Sequence, residues 1–306
     1  MENLPRDFVG YGGAPPDAKW PGEARLALNF VLNFEEGSEA NHLDGDGRTE
    51  FGLTDSPASP VPTERRDLAA ESMFEYGARA GFWRIHRMFM QRRMPYTVFA
   101  CALALERNPP AARAIRDAGL DVCCHGWRWI EHFKLSETEE REHIGRAVKS
   151  LRATLGKAPE GWYCRYGPSE NTRRLVVEHG GFLYDSDAYN DDLPYWTEVA
   201  GRPHLVVPYG LVNNDAQMMR GRIATSGQFF EFLKDAFDVL YEEGYERPKM
   251  MNVGLHMRIV GHPARAAGVM RFLDYVQTKP GVWIAPRAAI ARHWAATHPP
   301  PAGSPV

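Results

Sequence analysis

Short apolar runs alternate with longer amphipathic segments along most of the chain. Residues 25–34 form a nearly continuous apolar run, which is typical of a strand buried on both faces of a parallel sheet. Residues 70–93 place apolar side chains at helical spacings, and Pro95 marks the end of this predicted helix. The alternation continues, with strands predicted at 95–103, 120–125, 161–165, 182–187, 204–209, 250–256 and 282–285 and helices at 108–117, 136–155, 171–178, 228–243 and 265–278.

Seven or eight β/α units result, and units repeated that often close most readily into a barrel. An open doubly wound sheet has the same local pattern, but no glycine-rich phosphate-binding motif follows the first strand. We therefore predict an α/β fold of the TIM-like barrel type, in one domain over residues 1–298. Residues 38–68 lack periodicity and form a candidate lid, while the Pro-rich tail 299–306 is predicted to be disordered.

Composition excludes several classes of protein. With 44% hydrophobic and 25% charged residues the chain can build a sizeable core. Its net charge of −3 provides no broad electrostatic footprint for nucleic acid or a membrane surface. No apolar stretch approaches the length of a membrane span, and no secretory signal precedes the first strand. The 4 cysteines contain no C-x-x-C pair, so we expect free thiols in a cytoplasmic protein that acts on a small molecule.

Polar side chains end several of these apolar strands. They are Glu35 and Glu36, His125, Arg165, Asp187 and His256. In a barrel the carboxyl ends of all strands meet on one face, so five separate segments would bring acid, imidazole and guanidinium groups into one pocket. Each residue alone could equally be a polar group at the edge of the core, but their joint position favours a catalytic site.

At these residues the chain resembles the polysaccharide deacetylase superfamily, carbohydrate esterase family 4, whose members fold as a distorted β/α barrel. Glu35-Glu36 matches the family's pair of adjacent aspartates, the first a base and the second a metal ligand. The family's His-(Ser/Thr)-x-x-His motif aligns with residues 125–129, where Trp129 replaces the second histidine ligand. Leu255-His256 matches the late Leu-His motif, and the region of Arg165 matches the Arg-containing motif loosely.

The departures from the family pattern resemble its cofactor-independent allantoinase branch. The matching segments are Glu35-Glu36-Gly37 and residues 71–79, 125–129, 184–196 and 254–265, the last of which contains Arg258. This resemblance covers about residues 5–298. It implies hydrolysis of a cyclic amide in purine catabolism, Arg258 as a substrate-binding residue and a homo-oligomer, specifically a tetramer.

The residues themselves argue against a bound metal. A divalent metal needs about three protein ligands, and Trp129 cannot ligate. We therefore predict no metal and no cofactor, with a weak site at Glu36 and His125, completed by water, as the alternative. Amide hydrolysis then needs a base for water and an acid for the leaving nitrogen, which we assign to Glu35 and His256.

The remaining polar and aromatic residues have expected roles in binding. Arg165 and His125 would orient the substrate carbonyl, Trp129 would stack on a flat ring, and Asp187 would bind substrate. Glu36 is assigned to the catalytic group with Glu35, although successive strand residues point to opposite faces unless Gly37 introduces a kink.

The predicted activity is metal-independent opening of a cyclic amide such as an allantoin-like ureide, a hydantoin or a cyclic imide. Two other functions stay open. One is metal-dependent N-deacetylation of amino sugars, as in the parent family. The other is a non-catalytic barrel that binds a small ligand, since loss of a metal ligand also accompanies loss of activity.

Overall fold

The computed structural model describes residues 6–56 and 58–300. Most of the predicted tail 299–306 therefore lies outside the described residues. The strands are β1 (Leu26–Phe34), β2 (Thr97–Ala100), β3 (Asp121–Cys124), β4 (Gly161–Trp162), β5 (Tyr184–Asp185), β6 (Tyr195–Val199), β7 (Arg202–Val206), β8 (Lys249–His256) and β9 (Val282–Ile284). The helices are α1 (Leu68–Tyr76), α2 (Phe82–Gln91), α3 (Ala102–Arg107), α4 (Pro109–Asp117), α5 (Glu137–Leu155), α6 (Thr172–His179), α7 (Ala216–Met219), α8 (Ser226–Glu243), α9 (Pro263–Gln277) and α10 (Arg287–Thr297).

The strands form one curled sheet in the order β6-β7-β5-β4-β3-β2-β1-β8, with β9 paired to the first half of β1. All neighbours are parallel except β6 and β7. Between β7 and β8 the curl is completed by side chains, because Asn252 accepts from the Gly210 N–H at 2.8 Å and donates to the Gly210 carbonyl at 3.0 Å. The predicted distorted barrel is therefore confirmed.

Alternation along β1 explains how the barrel is filled. Leu26, Leu28 and Phe30 face the helical layer, where they join the large apolar cluster built with α2 and α9. Ala27 and Val31 face the barrel interior and pack with aromatic residues of the other strands. Because side chains alternate along a strand, the two residues that follow Phe34 are also expected to diverge, one inward and one toward the helices.

Several predicted elements differ from the structure. The predicted helix over 70–93 contains a π-helical turn at Gly77–Gly81 between α1 and α2. The backbone of Gly81 lies so close to the Met257 carbonyl that a Cβ there would clash, so the turn is where this helix approaches the segment after β8. β6, α3, α7 and α10 are not predicted: β6 is half-exposed, α7 has only 4 residues, and the buried face of α10 contains an arginine and two alanines. The predicted strand 95–103 is too long, because the chain is already helical from Ala102, where α3 begins.

The described residues of the candidate lid, 38–56 and 58–68, lie over the carboxyl end of the sheet. Glu50 in this segment binds Arg165, and the Leu53 carbonyl accepts from Arg258 Nε at 3.1 Å. The segment is therefore fixed to residues that follow two different strands. Within the described part of the chain, no helix has the length and apolar character needed to cross a membrane.

Candidate active site

A cavity of about 410 Å³ opens at the carboxyl ends of the strands. Five of the eight predicted site residues line it, namely Glu35, His125, Trp129, Arg165 and His256. Half of the other lining residues are aromatic or amide-bearing, namely Asn33, Phe133, Tyr163, Tyr166, Tyr209 and Asn214, and Arg220 adds a further guanidinium. Residues from the ends of separate strands thus converge as the barrel geometry predicts.

Glu35 lies at the centre of this group and is buried. Its Oε1 lies 3.2 Å from His125 Nε2 and 3.6 Å from His256 Nε2, while its Oε2 accepts from Arg258 Nη1 at 2.7 Å. Burial alone would raise the pKa of Glu35, but Arg258, His256 and His125 outweigh it and hold the pKa well below its ordinary value. Glu35 is therefore ionised at neutral pH.

Glu36 points away from the cavity, toward the helical layer. Its Oε1 accepts from the Arg258 backbone N–H at 3.0 Å, and its Oε2 accepts from the Glu35 N–H at 3.1 Å. Gly37 adopts a positive φ of 98°, but this bend does not bring the two carboxylates to one side. Burial raises the pKa of Glu36, Arg258 opposes this and Glu35 adds to it. Its predicted place in the catalytic cavity is therefore corrected.

His256 is held by a carboxylate that sequence reasoning missed. Asp215, which is fully buried, accepts from the His256 backbone N–H at 2.7 Å and lies 2.6 Å from His256 Nδ1. Burial alone would lower the pKa of His256, but Asp215 and Glu35 outweigh it and raise the pKa above its ordinary value. Asp215 ends the polar run 213–215 that follows the β7 segment, and that position was the available signal.

His125 has both ring nitrogens facing oxygen atoms. Its Nδ1–H donates to the Tyr163 carbonyl at 2.9 Å, which fixes a proton on that nitrogen because a carbonyl can only accept. Its Nε2 is the atom that faces Glu35. The imidazole also stacks on the Tyr163 ring, with the ring planes 20° apart. His125 is thus oriented toward the carboxylate by its backbone partner.

Arg165 and Trp129 form the wall of the cavity under the lid. The Arg165 guanidinium lies 3.8 Å from the centre of the Trp129 ring and donates to Glu50 at 2.8 Å. One face of the indole is therefore covered by Arg165, which leaves the proposed stacking of a substrate ring on that face unsupported. Burial alone would raise the pKa of Glu50, but Arg165 and the Gly52 N–H outweigh it and lower the pKa.

Two further predicted binding residues do not line the cavity. Asp187 accepts from the Trp162 indole N–H and the Cys164 N–H, both at 3.1 Å, and lies within the barrel wall. Arg258 lies behind Glu35, buried between the two glutamates. Direct contact of either residue with substrate is therefore not supported by its position.

The side chains present do not fit a divalent metal site. Trp129 occupies the position of the expected second histidine, and Arg258 already holds the Glu35 carboxylate. Glu36, the alternative ligand, binds on the far side of the backbone from His125. Across residues 6–56 and 58–300 no three His, Cys, Asp or Glu side chains are arranged to hold a metal ion.

Comparison with known proteins identifies the family of the chain. Residues 64–184 match the family model described as polysaccharide deacetylase. A Schizosaccharomyces pombe protein with a provisional polysaccharide deacetylase name is 40% identical over 314 residues, which cover 96% of this chain and 98% of the relative. The chain belongs to the polysaccharide deacetylase family.

Two solved structures of this family are similar over nearly the whole length. A Pseudomonas aeruginosa PAO1 protein, also provisionally named a polysaccharide deacetylase, is 49% identical, with a TM-score of 0.94 over 97% of this chain and 100% of its own. The PuuE allantoinase is 48% identical, with a TM-score of 0.95 over 98% of this chain and 100% of its own. The present chain is thus a hydrolase-family protein that has an allantoinase among its similar structures.

Proposed function

We propose that this deacetylase-family protein is a metal-independent hydrolase that opens a C–N bond of a small cyclic amide. The substrate class comprises allantoin-like ureides, hydantoins and cyclic imides. The observation that carries the proposal is the alignment of Asp215, His256 and Glu35 at the floor of an aromatic-walled cavity. The 48% identity to an allantoinase structure supports the same class.

Glu35 and His256 have complementary roles in this reaction. Glu35 is ionised and accepts a proton from water as the water oxygen adds to the ring carbonyl carbon. His256, protonated and held by Asp215, donates its Nε2 proton to the ring nitrogen as the C–N bond breaks. The products are a carboxylic acid, which ionises at neutral pH, and an N–H group. Water supplies the hydroxyl and, through the two side chains, the hydrogen.

The cavity walls suit a small, flat, polar ring. Tyr163 and Tyr209 present aromatic surface, and Asn33 and Asn214 present amide groups beside them. Both amides bind the Tyr209 hydroxyl through their Nδ2 atoms, at 3.3 and 3.1 Å. Asn33 Nδ2 also donates to the Leu255 carbonyl, and Asn214 Oδ1 accepts from the Ala216 N–H. The Asn33 oxygen and the second N–H of Asn214 are therefore the groups that can pair with the N–H and carbonyl groups of a ureide or imide ring.

The test is turnover of allantoin, hydantoin, succinimide and N-acetylglucosamine by purified protein, with and without a chelator, followed by NMR. We expect one of the ring compounds to be opened at the same rate after chelation. Glu35→Gln should lower kcat by about 10²- to 10⁴-fold, the usual contribution of a general base. Glu231→Gln, on the exposed face of α8, is the matched control and should leave kcat unchanged.

Two other results would identify the rival functions. Chelator-sensitive release of acetate from the amino sugar would show a metal-dependent deacetylase. Saturable binding of a ring compound without turnover by wild-type protein would show a ligand-binding barrel. Either result would refute the proposed activity.

A further inference from the structure

Both oxygens of the Glu36 carboxylate accept hydrogen bonds from the segments around the catalytic base. Besides the two backbone N–H groups of Arg258 and Glu35, its Oε1 accepts from Arg258 Nη1 at 3.2 Å. Its side chain is fully buried and does not line the substrate cavity. These contacts tie the strand that carries Glu35 to the segment that carries Arg258.

Arg258 is positioned by few contacts apart from the glutamates. Its Nε donates to the Leu53 carbonyl, and the guanidinium carbon lies 4.6 Å from the centre of the Phe74 ring and 4.8 Å from that of Trp129. Among the described residues its buried Nη2 has no hydrogen-bond partner. The placement of Nη1 against Glu35 therefore depends on Glu36 as the second acceptor on that nitrogen.

The π-helical turn gives Glu36 the room it needs. A Cβ at Gly77 would lie 2.6 Å from Glu36 Oε1 and 2.9 Å from the Arg258 backbone nitrogen. Glycine is thus the residue that lets the helix approach this carboxylate and backbone amide together. The local departure from α-helix occurs where the helix meets the reaction centre, as π-turns often do.

We propose that Glu36 is a positioning residue which, with the glycine of the π-turn, fixes the Arg258 guanidinium against Glu35. The guanidinium thereby supplies the fixed positive charge of the reaction centre, in a site whose side chains do not fit a metal ion. This inference rests on the proposed function, in which Glu35 is the base.

The charged and titratable groups around Glu35 explain why one fixed cation matters. His125 and His256 face its Oε1, Arg258 faces its Oε2, and Glu36 and the buried thiol of Cys101 lie close by. In the proposed reaction His256 gives up its Nε2 proton, whereas a guanidinium stays charged at all working pH values. Arg258 therefore keeps Glu35 in place and favours its carboxylate form while the charge of His256 changes.

The test is a double-mutant cycle on the enzyme with its ring substrate. Glu36→Ala and Arg258→Met should each lower kcat at least about 100-fold with KM changed less than threefold, because electrostatic preorganisation is lost rather than binding. If Glu36 acts through Arg258, the double variant should be no more than threefold below Arg258→Met. Multiplication of the two effects would overturn the proposal.

Glu36→Gln separates positioning from proton transfer. The glutamine Oε1 can still accept from both Arg258 donors, although its Nε2 no longer accepts from the Glu35 N–H, so we expect kcat to be at least about tenfold above that of Glu36→Ala. Loss as large as that of Glu36→Ala would show that the contacts of Oε1 with Arg258 do not carry the effect and would refute the positioning role. Gly77→Ala, which alters no charged group, should reproduce the loss of kcat by displacing Glu36.

A readout without substrate keeps this inference distinct from the proposed function. The measurement is urea unfolding of wild type, Glu36→Ala, Arg258→Met and the double variant. Glu36→Ala should lower the free energy of unfolding of the wild-type protein, and should lower that of Arg258→Met much less. If no ring compound is turned over but this coupling is present, the proposed function fails and the Glu36–Arg258 contact stands. If the substrate is turned over and the coupling is absent, the positioning role fails alone.

Discussion

Replacing Asp215 with Asn tests the assignment of His256 as the general acid. Asp215 is fully buried and bonds His256 twice, through the backbone N–H and through Nδ1. An asparagine offers one acceptor and one donor in the same space. If the asparagine oxygen still accepts from the His256 backbone N–H, the asparagine NH₂ group faces Nδ1. Nδ1 must then accept a hydrogen bond, so the proton of the neutral imidazole lies on Nε2. The neutral tautomer is then favoured over the imidazolium.

The magnitude follows from the lost charge-assisted hydrogen bond. Such bonds contribute about 1.5–3 kcal/mol, which corresponds to roughly 10- to 150-fold in kcat. A tautomer change at a catalytic histidine adds to this, and losses of about 10⁴-fold have been attributed to it in hydrolases with an Asp–His pair. We therefore expect Asp215→Asn to lower kcat by about 10²- to 10⁴-fold, with the smaller value if the backbone contact is lost instead.

The pH dependence gives a second, independent readout. His256 acts only when protonated, so activity falls as pH rises through the pKa of His256. Asp215, after the opposing effect of burial, is the largest cause of the raised pKa of this residue. In Asp215→Asn the basic limb of the kcat profile should therefore move to lower pH. The measurement is kcat between pH 5 and 10, with the surface variant Asp235→Asn as control and circular dichroism to verify folding.

Unchanged kcat together with an unmoved basic limb in folded Asp215→Asn would refute the reasoning. It would mean that His256 does not donate the proton to the leaving nitrogen. A lower kcat with an unmoved limb would assign Asp215 to orientation of the ring alone.

Three further predictions concern stability and the thiols. Gly81→Ala should lower the free energy of unfolding by more than about 2 kcal/mol, since its Cβ would clash with the Met257 carbonyl, whereas Gly145→Ala within α5 has open space and should be neutral or stabilising in urea unfolding. Burial would raise the pKa of Asp185, but Arg173 and the other partners of Asp185 hold that pKa well below 3.8. The Asp185–Arg173 ion pair therefore stabilises the fold above pH 3.8, and this stabilisation is lost as the pH falls below 3.8. Arg173→Met should therefore flatten the decline of unfolding free energy between pH 5 and 2. Burial raises the pKa of all 4 cysteine thiols, so Ellman's reagent at pH 8 should react with none of them in the native protein and with all in denaturant.

The residues that end strands could be assigned to the site from the sequence, because the strand topology determines where they lie. Glu35, His125 and His256 each follow an apolar run directly, and parallel strands deliver their carboxyl ends to one rim. Asp215 could not be placed in the same way. It lies in the irregular segment between β7 and α7, and only the folded path of that segment brings its carboxylate to His256.

The alternation of strand residues predicts that Glu36 points away from Glu35. Only a kink at Gly37 would bring both carboxylates to the cavity. Gly37 has a positive φ, and β1 is paired with β2 up to Phe34 and with β8 up to Asn33; Glu35 and Glu36, which follow the strand, still point to opposite sides. The π-turn, in contrast, could not be predicted. Apolar spacing over 70–93 is helical throughout, and the local π geometry arises from close tertiary contacts of two glycines.

The electrostatics of the site bear on which amides it can hydrolyse. Glu35 is stabilised as a carboxylate by Arg258, and His256 is stabilised as an imidazolium by Asp215, so both groups resist the proton transfers that hydrolysis requires. A difference of one in pKa corresponds to about 1.4 kcal/mol of proton-transfer free energy. The Glu35–Arg258 and His256–Asp215 pairs therefore raise the barrier to hydrolysis. This cost must be offset by stabilisation of the negative charge that develops on the carbonyl oxygen, or by the reactivity of the substrate. In cyclic imides and ureides the reacting carbonyl carbon is flanked by electron-withdrawing groups, and the leaving nitrogen is weakly basic. A plain acetamide has neither feature. If Glu35 and His256 act as proposed, a site with a tightly paired base and acid and no fitting metal position should open an activated ring faster than it deacetylates an acetylated sugar.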